Sequence, residues 1–507
     1  MKASFKNYLF LFVVVFASFA VEAQTQKVVY NVKDSGAKGD GASLDTKAIN
    51  ETIDRAAAAG GGTVYFPSGN YLTGSIHLKS NIALYLDAGA TIIAAPVENV
   101  SEYDLPENKI SNMYEDFGHR HWHNSLIWGE NLHDISILGP GMIWGKGLVR
   151  SNKGEDDIRP NKSISLYLCR NVIIRDVTML HAGWFAILAT GVDNLTIDNL
   201  KMDTNRDGMD IDCCRNVRIS NCSVNSPKDD GICLKSSYGL GFARSTENVT
   251  ITNCQVSGYD EGSFLDGTYK KTGEAPTGRI KFGTESNGGF RNITISNCVF
   301  DYCRGLALEA VDGAQLEDVT ITNITMRDVV NAPIFLCLGA RMRGPEGTPP
   351  GKLRRVIISN VVAYNVDSLS SVIISGIAGN EIEDVKLKDI KIYYKGGGTR
   401  EQAARQVPVL EKEYPEPGRY GIMPAYGFYI RNVKGIQLEN IDLNVLSKDL
   451  RSAFYLDGVT NADFKFVKAP VAPESHAMHL INTANINLFQ SLNMKNETLE
   501  KVQNQDL

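Results

Sequence analysis

Two short segments of the chain concentrate carboxylates. Asn205-Arg206-Asp207-Gly208-Met209-Asp210 is followed by Lys228-Asp229-Asp230-Gly231-Ile232, and Asp229 lies 22 residues after Asp207. If 22 residues make one turn of a coiling chain, residues one turn apart stack at about 4.8 Å. Asp207, Asp229 and Asp230 then crowd one patch. Like charges that close repel, so one carboxyl keeps its proton while the others stay ionised. A carboxylic acid beside a carboxylate is what cleavage of a glycosidic bond by water requires. The acid protonates the leaving oxygen and the base activates water. Two other readings compete: aspartates are common in turns, and clustered carboxylates bind Ca²⁺.

The elements that would hold these residues are written as a repeat. Asn194-Leu195-Thr196-Ile197-Asp198-Asn199, Asn216-Val217-Arg218-Ile219-Ser220-Asn221 and Asn248-Val249-Thr250-Ile251-Thr252-Asn253 share one pattern. Further copies begin at Asn171, Asn292, Asp318 and Arg355, with weaker ones at Asp384 and Gly435. Apolar residues two apart, such as Val249 and Ile251, mark a strand with one buried face. Asn171 to Asn194 is 23 residues, Asn194 to Asn216 is 22, and Asn248 to Asn292 is 44, two turns of 22. A short constant period signals a solenoid whose coils stack their strands. The intervals are too short for the helices of a doubly wound sheet. The reading is all-β: a single-stranded parallel β-helix. The sixth position is Asn in seven of the nine copies and Asp in two, Asp176 and Asp389. Stacked amides bond along a stack, so this column is expected to form an Asn ladder buried at a turn. Cys222, Cys254 and Cys298 form a second column.

The rest of the chain sets limits. At 507 residues it exceeds what one compact core supports. Apolar residues make up 43% and charged residues 22%, the composition of a globular protein, and the net charge of −6 gives no reason to expect nucleic acid as a partner. Nine cysteines is an odd number, so they are read mainly as small buried hydrophobes. Lys2 and Lys6, an apolar run from Tyr8 to Ala20, and small Ala23 read as a signal peptide over residues 1–23. The mature protein is then expected to be secreted or periplasmic, free of the membrane and monomeric. A cap region over 24–70 centres on a short helix from Asp45, its cap, to Ala58, closed by Gly60, Gly61 and Gly62. The β-helix is assigned to 71–468 and a C-terminal cap or tail to 469–507. Insertions at Asp260–Thr277, Arg341–Lys352 and Lys395–Ala425 should emerge as loops beside a binding face. The first of these would close one end of a groove and make cleavage exo-acting.

The two aspartate segments together resemble the polygalacturonase-like enzymes of glycoside hydrolase family 28. Their Asn-Thr-Asp-Gly-Xaa-Asp motif matches Asn205 to Asp210 with Arg206 in place of Thr, and their Asp-Asp motif matches Asp229-Asp230, continuing to Ser236. The likeness includes Gly36 to Gly41 and runs from about Val28 to Asn365. It implies a right-handed β-helix and inverting hydrolysis of α-linkages in pectic polysaccharide or oligosaccharide. It places the general acid on Asp229 and the water-activating bases on Asp207 and Asp230, with no metal or cofactor. An inverting pair is usually about 6.5–9.5 Å apart. Neutral replacements of the three aspartates should leave folding intact, since they belong to the groove.

The departures are local. The family's Gly-His-Gly is Thr277-Gly278-Arg279 here, and its uronate-gripping Arg-Ile-Lys aligns with Ala307-Leu308-Glu309. Arg206, Arg279, Lys281 and Arg341 are the candidates for a replacement grip, Lys235 is a further substrate-binding candidate, and Glu309 is the candidate for bonds to sugar hydroxyls. Lys235 and Arg279 would serve as the cationic base in a competing reading, a Ca²⁺-dependent pectic lyase. A glycan-binding solenoid without catalysis is the third. His119, His121 and His123 alternate and are read as a polar rim of the cleft rather than a metal site. Trp184 is read equally as a sugar-stacking platform and as a core aromatic.

Overall fold

The structure is a computed structural model. It describes residues 28–507 apart from 108–113, 115–118, 120, 151–157 and 272–274. The expected signal peptide, residues 1–23, lies outside the described residues, as does Arg120.

Each central coil is three short strands. Phe185–Thr190, Asp193–Asp198 and Lys201–Asp203 pair in parallel with Asp207–Asp212, Arg215–Ser220 and Ser223–Asn225 of the next coil. The same pairing continues with Ile232–Ser236, Thr246–Thr252 and Gln255–Ser257. The chain is a parallel β-helix. Its inward positions form aliphatic columns, such as Leu195, Val217, Val249 and Ile293, each at most 1% exposed. Burying each such side chain contributes about 1.5–3 kcal/mol.

The repeat's asparagines make the corners. Asn194, Asn199, Asn216, Asn221, Asn248 and Asn253 all have φ between 55° and 57°, the left-handed region that Asn tolerates better than other side chains. Two amide ladders climb the stack. Asn253 donates to Asn221, Asn297 to Asn253 and Asn323 to Asn297, while Asn216, Asn248 and Asn292 each donate to the Asn one coil earlier. The expected column is real, but it is exposed to solvent rather than buried. A corner turned outward leaves the second amide valence to water. The Cys222, Cys254, Cys298 column is inside, each 1% exposed, and all nine cysteines are buried, with no disulfide among the described residues.

One stability prediction follows from the ladder. Asn253→Ala places Ala in the left-handed region, at a cost of about 1–2 kcal/mol, and removes two amide bonds. Asn253→Gly removes the bonds but not the backbone fit. In urea unfolding Ala should be the less stable variant. Equal stability would show that the corner conformation contributes little.

The ends are closed. Helix α1, Thr46–Ala58, buries Ile49, Ile53 and Ala56 against the first coil. Asp45 precedes it, but its carboxylate makes no cap bond to the helix. It accepts the N–H groups of Lys38 and Gly39 at 2.7 and 3.0 Å, holding the preceding glycine turn. At the other end the parallel stack continues past Lys468 to Met478–Phe489. Glu497–Asp506 then pairs antiparallel and covers the last edge. Among the described residues no helix is long and apolar enough to cross a membrane.

Candidate active site

Four successive rungs build the cleft floor: Asp207–Asp212, Ile232–Ser236, Ile280–Ser286 and Leu306–Ala310. Met209 pairs with Ile232, so Asp230 stands opposite Asp207, and Asp229 opposite Arg206. The coil step here is 23 residues, one more than the sequence spacing suggested. The N–H of Gly208 donates to the Asp230 carbonyl at 3.0 Å. A Cβ on Gly208 would lie 2.3 Å from the Gly231 carbonyl oxygen, so only Gly lets the two aspartate turns stack this closely.

Asp207, Asp229 and Asp230 each bring an oxygen within 4.8 Å of the others. The expected cluster exists, but its nearest oxygens are closer than the separation expected of an inverting pair. Their surroundings differ. Asp230 is 2% exposed and accepts Arg279 Nε at 2.7 Å, with Lys281 Nζ at 3.2 Å. Burial pushes its carboxyl upward, and the Lys281 and Arg279 cations more than reverse this, holding it well below the usual carboxylate range. Asp229 is partly open to solvent and ion-paired with Arg206. Burial and the adjacent Asp230 charge still push its proton affinity up against Arg206. Asp207 is 5% exposed, and burial, then repulsion from Asp229 and Asp210, push it up further. The three carboxyls are therefore pushed apart in proton affinity, Asp207 and Asp229 upward and Asp230 downward; the upward push on Asp207 runs against the expectation that it stays ionised beside Asp230.

The candidate grip residues are spent on internal partners. Arg279, 2% exposed, also donates to Glu416 at 3.0 Å. Lys281, equally buried, lies 3.6 Å from Glu309 and 3.2 Å from the Tyr414 hydroxyl. Lys235, on the face of its strand opposite the core residues Ile232 and Leu234, bonds Glu285 at 2.8 Å and lies 3.9 Å from Asp210. Arg341 forks onto Asp312, at 3.0 and 2.5 Å. Glu309, the candidate for bonds to sugar hydroxyls, is fully buried beside Lys281, with its pKa pushed up to about 7 by burial. Arg206 lies 4.2 Å over the Trp184 ring, which is half-buried at the cleft edge.

The histidine run separates. His119 Nε2 meets Asp210 at 2.5 Å inside the cleft wall. His121 faces the Glu107 carbonyl, and His123 bonds Glu130 at 2.8 Å. His119 stands apart, while His121 and His123 both meet Glu107, whose carboxylate lies 3.8 Å from His123 Nδ1. The loop at Asp260–Thr277 rests beside the cleft, with the N–H groups of Phe264 and Leu265 on Asp203 at 3.0 and 2.9 Å. The insertion Lys395–Ala425 does more: it delivers Tyr414 and Glu416. Sequence reasoning marked that insertion but neither residue, and it placed His119 on the rim without its partner.

Arg206 stands where the related motif has Thr and is ion-paired with Asp229. The basic limb of a kcat/KM profile reports the free enzyme's acid. Removing a neighbouring cation raises a carboxyl's pKa. Arg206→Thr should therefore move that limb to higher pH, by about one unit. An unmoved limb would show that Arg206 does not tune Asp229.

The solenoid of parallel coils carries an acidic, cation-buttressed cleft and has the architecture of a parallel β-helix. Residues 152–272 match the family described as right handed beta helix region, and residues 29–119 the one described as rhamnogalacturonase A/epimerase, pectate lyase-like. The chain is similar to a probable polygalacturonase of Vitis vinifera, 25% identical over 58% of this chain and 60% of that one. It is 26% identical to the exo-poly-alpha-D-galacturonosidase of Dickeya chrysanthemi over 54% of this chain and 40% of that one. The chain thus spans about half the length of these relatives. The Yersinia enterocolitica family 28 exopolygalacturonase has the same fold, with a TM-score of 0.64, 18% identity, and coverage of 88% and 79% of the two chains.

Proposed function

We propose that the protein is an exported, monomeric, polygalacturonase-like glycoside hydrolase that cleaves α-linkages of pectic polysaccharide or oligosaccharide with inversion. The observation that carries this reading is the split environment of the aspartates. Asp230 is held ionised by two buried cations, while Asp229, partly open to solvent, is pushed toward its protonated form. Asp229 protonates the leaving oxygen. Asp230 takes a proton from the attacking water, and Asp207, in register with it, completes the water site. Neighbouring carboxyls with opposed proton affinities are the arrangement acid–base hydrolysis uses. Exo action is supported by the relatives that carry it in their names and by the two insertions flanking the cleft.

A lyase would need a cationic base and, in the reading above, a Ca²⁺ ion. Lys235 and Arg279 are 6% and 2% exposed and already ion-paired. A divalent ion on the aspartate cluster would have to compete with Arg279 and Lys281 for Asp230. Activity should therefore survive exhaustive EDTA treatment and release reducing ends with no ultraviolet-absorbing unsaturated product. Activity lost to EDTA and restored by Ca²⁺ would overturn the hydrolase reading.

A further inference from the structure

Two arginines of this protein fork onto a single carboxylate each. Arg341 places Nε and Nη2 on the two oxygens of Asp312, at 3.0 and 2.5 Å, and Arg451 does the same to Asp449, at 3.0 and 2.7 Å. Arg279 uses the same edge of its guanidinium differently. Its Nε donates to Asp230 Oδ1 at 2.7 Å, but its Nη2 donates to Glu416 Oε2 at 3.0 Å. Glu416 is fixed in that place. Its Oε2 also meets Arg304 Nη1 at 3.0 Å, and its Oε1 accepts from Asn331 Nδ2 at 3.0 Å. Arg279, Arg304 and Asn331 precede the strands Ile280–Ser286, Leu306–Ala310 and Ile334–Leu338. One carboxylate therefore touches the same corner of three successive coils. The insertion that carries it is itself tied down: Tyr420 is buried, and Arg405 Nη1 donates to the Tyr420 and Ile422 carbonyls at 2.7 and 2.6 Å.

We propose that Glu416 is a positioning residue for the water-activating carboxylate: by holding Arg279 Nη2 it keeps that guanidinium from forking onto Asp230. The proposal rests on the hydrolase reading, in which Asp230 takes a proton from water. A carboxylate has about four acceptor positions, two on each oxygen. Arg279 Nε takes one on Oδ1, and Lys281 Nζ lies 3.2 Å from Oδ2. A fork would put a second guanidinium N–H on Oδ2, beside Lys281, and leave that oxygen no position for water. It would also make Asp230 a weaker base, because forked, charge-assisted bonds stabilise the ionised form. With Nη2 held by Glu416, Asp230 keeps its two cations and remains open to a water proton.

The test is steady-state kinetics on a pectic oligosaccharide, with the full chain. Glu416→Ala frees Nη2 and should lower kcat about tenfold with KM within about twofold. Glu416→Gln keeps a neutral, weaker acceptor and should lower kcat about threefold. Both losses should vanish in an Asp230→Asn background, where no base remains to be tuned. A crystal structure of Glu416→Ala should show Nε and Nη2 of Arg279 both on Asp230. If the Ala variant does not fold, the Gln variant with and without Asp230→Asn decides. An unchanged kcat, a loss carried by KM, the same loss with and without Asp230→Asn, or Arg279 not forked in that crystal would each overturn the role of Glu416. Wild-type protein that cleaves no pectic oligosaccharide sinks the hydrolase reading and this role with it, whereas an active wild type with a kcat indifferent to Glu416 sinks the role alone.

Discussion

Asp229→Asn is expected to lower turnover on pectic oligosaccharide by roughly 10²–10⁴, the usual worth of a general acid. The amide keeps the shape of the side chain and its contact with Arg206 but carries no transferable proton. An aryl glycoside with a good leaving group needs little protonation, so if the site accepts one, its hydrolysis should be spared in part. Asp207→Asn and Asp230→Asn act on the water side, and a better leaving group should not rescue them. Near-normal turnover by Asp229→Asn on the natural substrate would remove the acid from that residue whatever the fold.

Asp230→Asn should cost stability as well as activity. Arg279 and Lys281 are each 3% exposed in the side chain and both lean on this carboxylate. Breaking a buried ion pair by removing one partner costs about 3–5 kcal/mol, because the other charge is left uncompensated. The amide oxygen still accepts one bond, so the expected loss in urea unfolding is near the lower end, about 3 kcal/mol. The sequence alone leads to the expectation that all three aspartates can be neutralised with folding intact, and the same unfolding measurement decides between the two. The pH dependence has a definite sign. Asp230 has a depressed folded-state pKa, so its contribution is present above the unfolded value near pH 4 and is lost as pH falls through the folded value. The gap between wild type and Asp230→Asn should therefore shrink on acidification. Adding Lys281→Met to Asp230→Asn should recover part of the stability and none of the activity. A single variant as stable as wild type at neutral pH would show that the two cations find other partners.

The solenoid was legible because its signals are local. An alternating strand of six residues and an Asn able to enter the left-handed region are complete within one copy, and the copies repeat. The aspartate cluster was legible for the same reason, since each half is one short motif. The register slipped by one residue because the bend before Ile232 absorbs an extra residue, and the spacing of corner asparagines does not report that. The ladder's exposure was misread because hydrogen bonding up a stack does not require burial. The contacts that set the cleft's charge were not legible. Glu416 meets Arg279 across 137 residues, Tyr414 meets Lys281 across 133, and His119 meets Asp210 across 91. Such pairings depend on where an irregular loop lands, and no periodicity encodes that. Nor was it legible that Arg279, Lys281 and Arg341, expected as a substrate grip, have internal counter-charges: Glu416, Glu309 and Asp312 supply them.

Time-resolved proton NMR of a pectic oligosaccharide digest, run in EDTA, tests the central claim most directly. Aspartate-driven inverting hydrolysis predicts that the new reducing end appears first as the β-anomer, that no vinyl proton of an unsaturated sugar appears, and that Asp229→Asn gives neither signal on the same timescale. A vinyl resonance, an α-anomer formed first, or an Asp229→Asn digest that matches wild type would contradict it.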